Sequence, residues 1–417
     1  MITVLRNARV FDGTGDALAA DWDVVVEGER IRACGRGAGA AGGDRVIDCA
    51  GRTLLPGLID AHVHVYAMEV NLLRNEGRPL SLLAHRARAM LENALTRGFT
   101  TVRDCGGADF GLALALEQGW FTGPRLFFCG PMLSQTGGHG DFRLPHDRAA
   151  AAFGWECGCR AGHIAVTVDG EDALRKAIRD ILRRGASFIK FAASGGVTSV
   201  GGAIDALPFA DAEIRAIVDE TVRHKVYCTA HCHPDAGIRR AIELGVHCIE
   251  HATMIGPETA RLAAQRGTFV VPTVAVIAAI ERHGAALGYA PESLAKLAVV
   301  RPAVEAGLVN LREAGVTVGF GSDLLGPLEA HQMQEFAARE GVFTPAEILR
   351  QATSVNARIL GRAGELGVIA PGALADLIVV DGDPLRDLGV LHRGPPPALV
   401  MRGGAVVRDA MQAAGRA

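Results

Sequence analysis

The chain has 417 residues, 49% of them hydrophobic and 21% charged, with a mean hydropathy of +0.21. That composition excludes a disordered polymer and leaves room for one barrel of ordinary size plus a modest second domain. A formal net charge of -3 and a pI near 6.5 give no overall basic field, so nucleic acid and anionic membranes are set aside as partners in favour of a small-molecule substrate.

From Thr3 to about Leu55 the segments TVLRNARVF, DVVVEGERIRAC and RVIDCAGRTLL read as short strands separated by Gly and Asp clusters. The opening stretch MITVLRNARVFDGTG lacks the apolar run of a signal peptide. Between the ends, apolar strands are expected at Leu58–Val65, Thr100–Cys105, Arg125–Cys129, Phe188–Ala193, Val226–His233, Cys248–Thr253, Phe269–Val274 and Val316–Asp323. They alternate with amphipathic stretches such as GEDALRKAIRDILRRG, PDAGIRRAIELG and AVEAGLVNLREAG, each closed by a glycine suited to a helix end. Eight strands alternating with helices predict a parallel (β/α)₈ barrel rather than an open doubly wound sheet. The segment from Pro131 to about Gly170 breaks the pattern and reads as a lid or binding loop. The run Phe269–Ile280 contains Pro272 and is too short to cross a bilayer. ADLIVVDG and ALVMRGGAVVRD return to the texture of the N-terminus, which predicts one small β domain from residues 1–55 and 363–417, with the barrel over 56–362. Nine scattered cysteines do not make a disulfide framework, so a reducing cytoplasm is expected.

The residues that carry chemistry sit near the ends of these strands. His62 and His64 in PGLIDAHVHV lie two apart, hence on one face of a strand. A pair of buried, hydrogen-bonded histidines is the plain alternative, but Pro56–Gly57 before the strand and Asp60 within it argue against an ordinary core strand. Lys190 in FIKFAASGG is flanked by Phe188, Ile189 and Phe191. Burial disfavours an ammonium, and a neutral amine can take up carbon dioxide as a carbamate that bridges two cations. A lysine paired with a carboxylate is the commoner reading of such a residue taken alone. VYCTAHCH ends with His231 and His233 on one face, and CIEHAT places His251 on the next strand. By order along the strand His231 is the expected metal ligand and His233, nearer the mouth, the expected substrate contact, with a surface histidine or one that supports a ligand as the equal alternative for His233. Asp323 ends VTVGFGSDLLG, where Gly319 and Gly321 thin the strand for close approach of another backbone. Cys157 and Cys159 in WECGCRAGH have a spacing unlike structural zinc knuckles, and packing or loop roles are expected of them.

Together PGLIDAHVHV, FIKFAASGG, AHCHPDAGIRRAIELGVHCIEHA, GSDLLG and LGVIAPGALADLIVVDGDPL resemble the amidohydrolase superfamily, in its carboxylated-lysine branch of prolidase-like and imidazolonepropionase-like enzymes. The resemblance runs nearly end to end, to about Asp387. It implies a distorted barrel with a small β-sandwich domain and a cytoplasmic homo-oligomer. It also implies two divalent ions, zinc first, one held by His62, His64 and Asp323 and the other by His231 and His251, bridged by carboxylated Lys190. SQTGGHGDF resembles a segment whose histidine, here His139, contacts the substrate carbonyl or carboxylate. A hydroxide between two dications is a nucleophile at neutral pH, and Asp323 is the expected proton acceptor. The residual positive charge of such a pocket favours a carboxylate-bearing amide, such as a dipeptide or N-acyl amino acid. The alternative is a cyclic-amide hydrolase or deaminase of the imidazolonepropionase type. Mononuclear enzymes of that kind usually lack the bridging lysine and carry an acidic residue shortly after the fifth-strand histidine, where this chain has Pro234. Substrate side-chain preference stays open: residues 141–160 offer apolar Phe142, Phe153 and Trp155 beside acidic Asp141, Asp147 and Glu156.

Overall fold

A computed structural model describes residues 1–143, 163–199 and 201–411. The two chain ends interleave. Strand Thr53–Pro56 pairs in parallel with Ile2–Val10 on one side and antiparallel with Leu377–Val380 on the other, with Leu54 opposite Val379. The resulting sheet has eight strands and runs from Ala405–Asp409 at one edge to Arg30–Gly35 at the other. One face of it buries Leu5, Val24, Leu54, Leu377, Val379 and Met401 in a cluster of its own. The period-two alternation of these short strands produces that face directly.

The central strands are parallel and form two sheets. One contains Leu58–Val63, Phe99–Asp104 and Arg125–Phe128. The other orders Ala165–Thr167, Met132–Ser134, Ile189–Ala192, Cys228–Pro234, Cys248–Met254 and Phe269–Val271. Backbone bonds link the two sheets on both sides: Ser187, just before Ile189–Ala192, donates to Phe128 O at 2.8 Å, and residues 316–323 bridge the other side, where Ala61 donates to Phe320 O at 2.9 Å and Gly319 to Val270 O at 2.8 Å. Helices Glu171–Arg183, Asp235–Glu243 and Val304–Glu313 follow the expected amphipathic stretches. Gly185, Gly245 and Gly315, just beyond their ends, take the left-handed backbone.

Two expectations change. Residues 316–323 do not form a strand. Val318 makes an isolated bridge to Val270, and the Phe320 N–H donates to the side chain of Asn356 instead of a neighbouring strand. Asn356 in turn donates to Ile59 O and Phe320 O, adding to the backbone bonds that tie this segment to its neighbours, Thr317 and Gly319 with Val270, Phe320 with Ala61 and Asp323 with His62. The segment expected to be irregular from Pro131 begins and ends as paired strands, with Met132 opposite Ala165. Three-residue strands flanked by Gly and Pro carry too little alternation to be read in advance. Asp147, Phe153, Trp155, Glu156, Cys157 and Cys159 lie outside the described residues. The seven cysteines among the described residues are free. Among the described residues no helix is long and apolar enough to cross a membrane.

Candidate active site

His62, His64, His139, Lys190, His231, His233, His251 and Asp323 all line one cavity at the carboxyl ends of the parallel strands. The register explains how they meet. Lys190 is paired with Thr229 and Ala192 with His231, while His231 is paired with Glu250. Paired residues on adjacent strands project to the same side, and Thr229, His231 and His233 share a face through their two-residue spacing.

Glu250 and His251 are adjacent, so a regular strand would send them to opposite faces. Instead His251 and Ala252 both adopt positive φ, 70° and 47°, which turns the strand so that both side chains reach His62. A β-carbon-bearing residue in this conformation is strained, and such strain persists only where the surroundings enforce it. Asp323, at φ 53°, shows the same device. Its N–H bonds to His62 O at 2.8 Å, and its carboxylate stands 3.4 Å from His62 Nε2 and 3.3 Å from His64 Nε2. The glycines before it permit this approach, because a β-carbon at Gly321 would fall 2.7 Å from that of His62.

The histidines form one connected group. Ring centroids are 4.5 Å apart for His231 and His251, 5.0 Å for His62 and His251, and 4.1 Å for His139 and His231. His139 fits because a β-carbon at Gly196 would lie 2.4 Å from its ring. Each ring is oriented by a second group: His64 Nδ1 lies 2.9 Å from Gly106 O, His251 Nδ1 2.7 Å from Thr273 Oγ1, His233 Nδ1 3.0 Å from Thr253 Oγ1, and His139 Nδ1 2.7 Å from Ser199 Oγ. Burial pushes His62 and His233 down to about 4 and His139 to about 3, and it holds His231 and His251 well below the ordinary value, with neighbouring positive groups adding to the effect. Neutral imidazoles are the form that binds metal. His64 goes the other way: burial opposes its proton, but the hydrogen bond and charge of Asp323 outweigh it. Burial likewise opposes the Asp323 carboxylate, and His62 and His64 hold it below the usual carboxylate range. His62, His251 and Asp323 each offer a ligand atom within 4.8 Å of the others, a group able to hold a metal ion.

Sequence reading passes over Glu250, Arg103 and the role of Asp60. Glu250 is fully buried and lies 2.7 Å from His62 Nδ1, which leaves Nε2 free to face Asp323. It also accepts from Arg103, itself fully buried, and from Thr229. Arg103 holds Ala61 O as well, and its guanidinium lies over Phe188, 5.2 Å from the ring centre. Asp60 accepts from the N–H of His62, from the N–H and hydroxyl of Ser322, and from Gln332, tying the histidine strand to the segment that carries Asp323. The sequence signal was available: a charged residue inside an otherwise apolar strand needs a partner, as Arg103 and Glu250 do in TTVRDC and CIEHAT.

A family model described as the amidohydrolase family matches residues 53–407. The chain belongs to the amidohydrolase family. The ochratoxinase of Aspergillus niger is 32% identical over 372 residues, covering 85% of this chain and 75% of that protein. A prolidase solved in complex with N-methylphosphonate-L-proline is 43% identical with a TM-score of 0.94, over 98% of this chain and 100% of that one. A Xaa-Pro dipeptidase with bound methionine is 27% identical with a TM-score of 0.85, over 98% and 100%. This amidohydrolase is therefore an enzyme acting on carbon–nitrogen bonds, in the prolidase-like branch.

Proposed function

We propose that the chain is a binuclear metal-dependent amidohydrolase that cleaves an amide or peptide bond in a small carboxylate-bearing substrate, such as a dipeptide or N-acyl amino acid. The observation that carries this reading is the convergence of His62, His64, Lys190, His231, His251 and Asp323 on one cavity. The frame we propose is a distorted eight-stranded barrel over residues 56–362, with a β-sandwich domain from 1–55 and 363–417. Parallel strands linked on one side by Ser187 and on the other through residues 316–323, and the interleaved chain ends, support it.

The donor set fits divalent ions, since His62, His231 and His251, held neutral by burial, and an ionised carboxylate are the ligand chemistry zinc takes, and His64 would join them on giving up its proton to the metal. His62, His64 and Asp323 would hold one ion, and His231 and His251 the other, with carboxylated Lys190 shared between them. Once bound, two such ions supply a water nucleophile at neutral pH and polarise the scissile carbonyl. Asp323, standing between His62 and His64, then accepts the proton of the attacking water and delivers it to the leaving nitrogen. His139, oriented by Ser199, donates to the carbonyl oxygen as charge develops there. His233, fixed by Thr253, grips the substrate carboxylate. The relatives described as a prolidase and a Xaa-Pro dipeptidase support the same class of bond.

Elemental analysis of protein purified without chelator tests the metal count, with about two ions per chain expected, and a dipeptide library tests the bond. Full activity with one ion would exclude the binuclear scheme. Lys190→Ala should be inactive and partly restored by a short carboxylic acid that replaces the carbamate.

A further inference from the structure

Among the described residues, the walls above the candidate ligands favour one of the two side-chain preferences that the sequence leaves open. The cavity is lined by Leu72, Met132, Phe142, Ile277, Ile280 and Leu325. It continues into an outer compartment that shares Leu72, Phe142 and Thr198 with it and is walled further by Leu73 and Tyr289. Lys190 and Asp323 line the inner cavity, and the carboxylate and guanidinium lining the outer compartment, among the described residues, are Asp141 and Arg143. These neutralise each other. Asp141 accepts from Arg143 Nε at 2.8 Å and Nη2 at 2.6 Å, and it also accepts from the N–H of Gly137. The one described acidic group that could have received a basic side chain is thus already engaged.

We propose that the substrate carries a bulky apolar group, aromatic or branched aliphatic, beside the scissile amide, and that this cavity rejects a cationic side chain there. The inference rests on the amidohydrolase reading for the bond that is cut. An aryl or isobutyl group entering these walls gains the free energy of leaving water. An ammonium would lose its hydration with no unpaired carboxylate among the described residues to replace it. Phe142 and Leu72, common to both compartments, are the specificity-determining residues, and Ile277, on helix Val274–Leu287, forms the opposite wall.

The test uses the metal-loaded full chain and two matched series that vary either flank: N-acetyl-L-phenylalanine against N-acetyl-L-lysine, and L-phenylalanyl-L-proline against L-lysyl-L-proline. In at least one series kcat/KM should favour phenylalanine by about 10- to 100-fold, the range that burial of one such side chain supplies. Phe142→Asp, at a half-buried position, should narrow that ratio at least several-fold. Ile277→Ala should narrow it less, and thermal unfolding identifies any variant that fails to fold. Equal or better turnover of the lysine probes in both series, or an unchanged ratio in both variants, overturns the inference. If no probe of either series is hydrolysed, the proposed dipeptide or N-acyl amino acid substrate fails instead. Calorimetry with free L-phenylalanine and free L-lysine then still examines the walls, where binding of lysine as tight as phenylalanine overturns the inference on its own.

Discussion

The sheet made by the two chain ends and the parallel strands around the candidate site solve opposite problems. In the terminal sheet the interior is apolar, with Leu5, Val24, Leu54, Leu377 and Met401 fully buried, and charges pair at the surface, as Arg45 does with Asp409. Around the site the interior holds Asp60, His62, Arg103, Lys190 and Glu250, each at most 2% exposed. Consecutive positive-φ residues at His251 and Ala252 add strain there. Burying paired charges contributes little net stability, while unpairing one is costly. The contrast teaches that the terminal sheet stabilises the chain and that the parallel strands spend stability on holding reactive groups in place.

The sharpest way to break that contrast is Asp323→Asn, nearly isosteric but unable to carry the proton. Turnover should fall by about two to four orders of magnitude with the unfolding midpoint nearly unchanged. Near-normal rates would move the proton transfer to another group. Glu250→Gln should act on both quantities, because it leaves the Arg103 guanidinium buried without its counter-charge. A loss of about 3–5 kcal/mol in urea unfolding is expected, together with metal affinity lower by about 10- to 100-fold as His62 loses its orienting partner. An unchanged urea midpoint would show that the network is not under the strain argued here. Leu377→Ala in the terminal sheet should cost about 2–5 kcal/mol of stability yet leave kcat/KM per folded molecule at the wild-type value. A loss of activity per folded molecule would mean that the two regions are coupled.

The smallest effect is a pH slope. His62 and His233 are held near 4 in the fold against about 6.5 in the unfolded chain, so the unfolded state binds more protons between these values. Their contribution to the metal-free protein is complete above about pH 6.5 and is lost as the pH falls towards 4, at up to about 1.4 kcal/mol per pH unit for each group. Among the described residues, every buried histidine lies in the parallel region and none in the terminal sheet. Unfolding followed by a probe in each region should therefore place the acid-sensitive loss at the site. A flat stability profile from pH 7 to 4.5 would refute the assignment of these histidines as buried and neutral.

What the sequence determined by itself was periodic or local. Alternation gave the strands of both chain ends, helical spacing gave Glu171–Arg183 and Asp235–Glu243, and two-residue spacing put His62 with His64 and His231 with His233 on shared faces. What only the tertiary structure decided breaks those periods. His251 reaches the cavity beside Glu250 because its backbone is turned to positive φ, and alternation alone would have separated them. The segment before Asp323 bonds to the backbone on both sides without forming a regular strand, and at Phe320 it is Asn356, distant in sequence, that takes the N–H and shares the carbonyl. Glu250 and Arg103 were visible as charges in apolar strands, but their partnership was not, since a pairing across 147 residues is set by strand register rather than by spacing. Asp141 could be read as a receptor for a basic side chain until the fold placed Arg143 and the Gly137 N–H on its carboxylate. Periodicity records which side of an element faces inward, whereas which buried groups neutralise one another depends on contacts that only the folded chain makes.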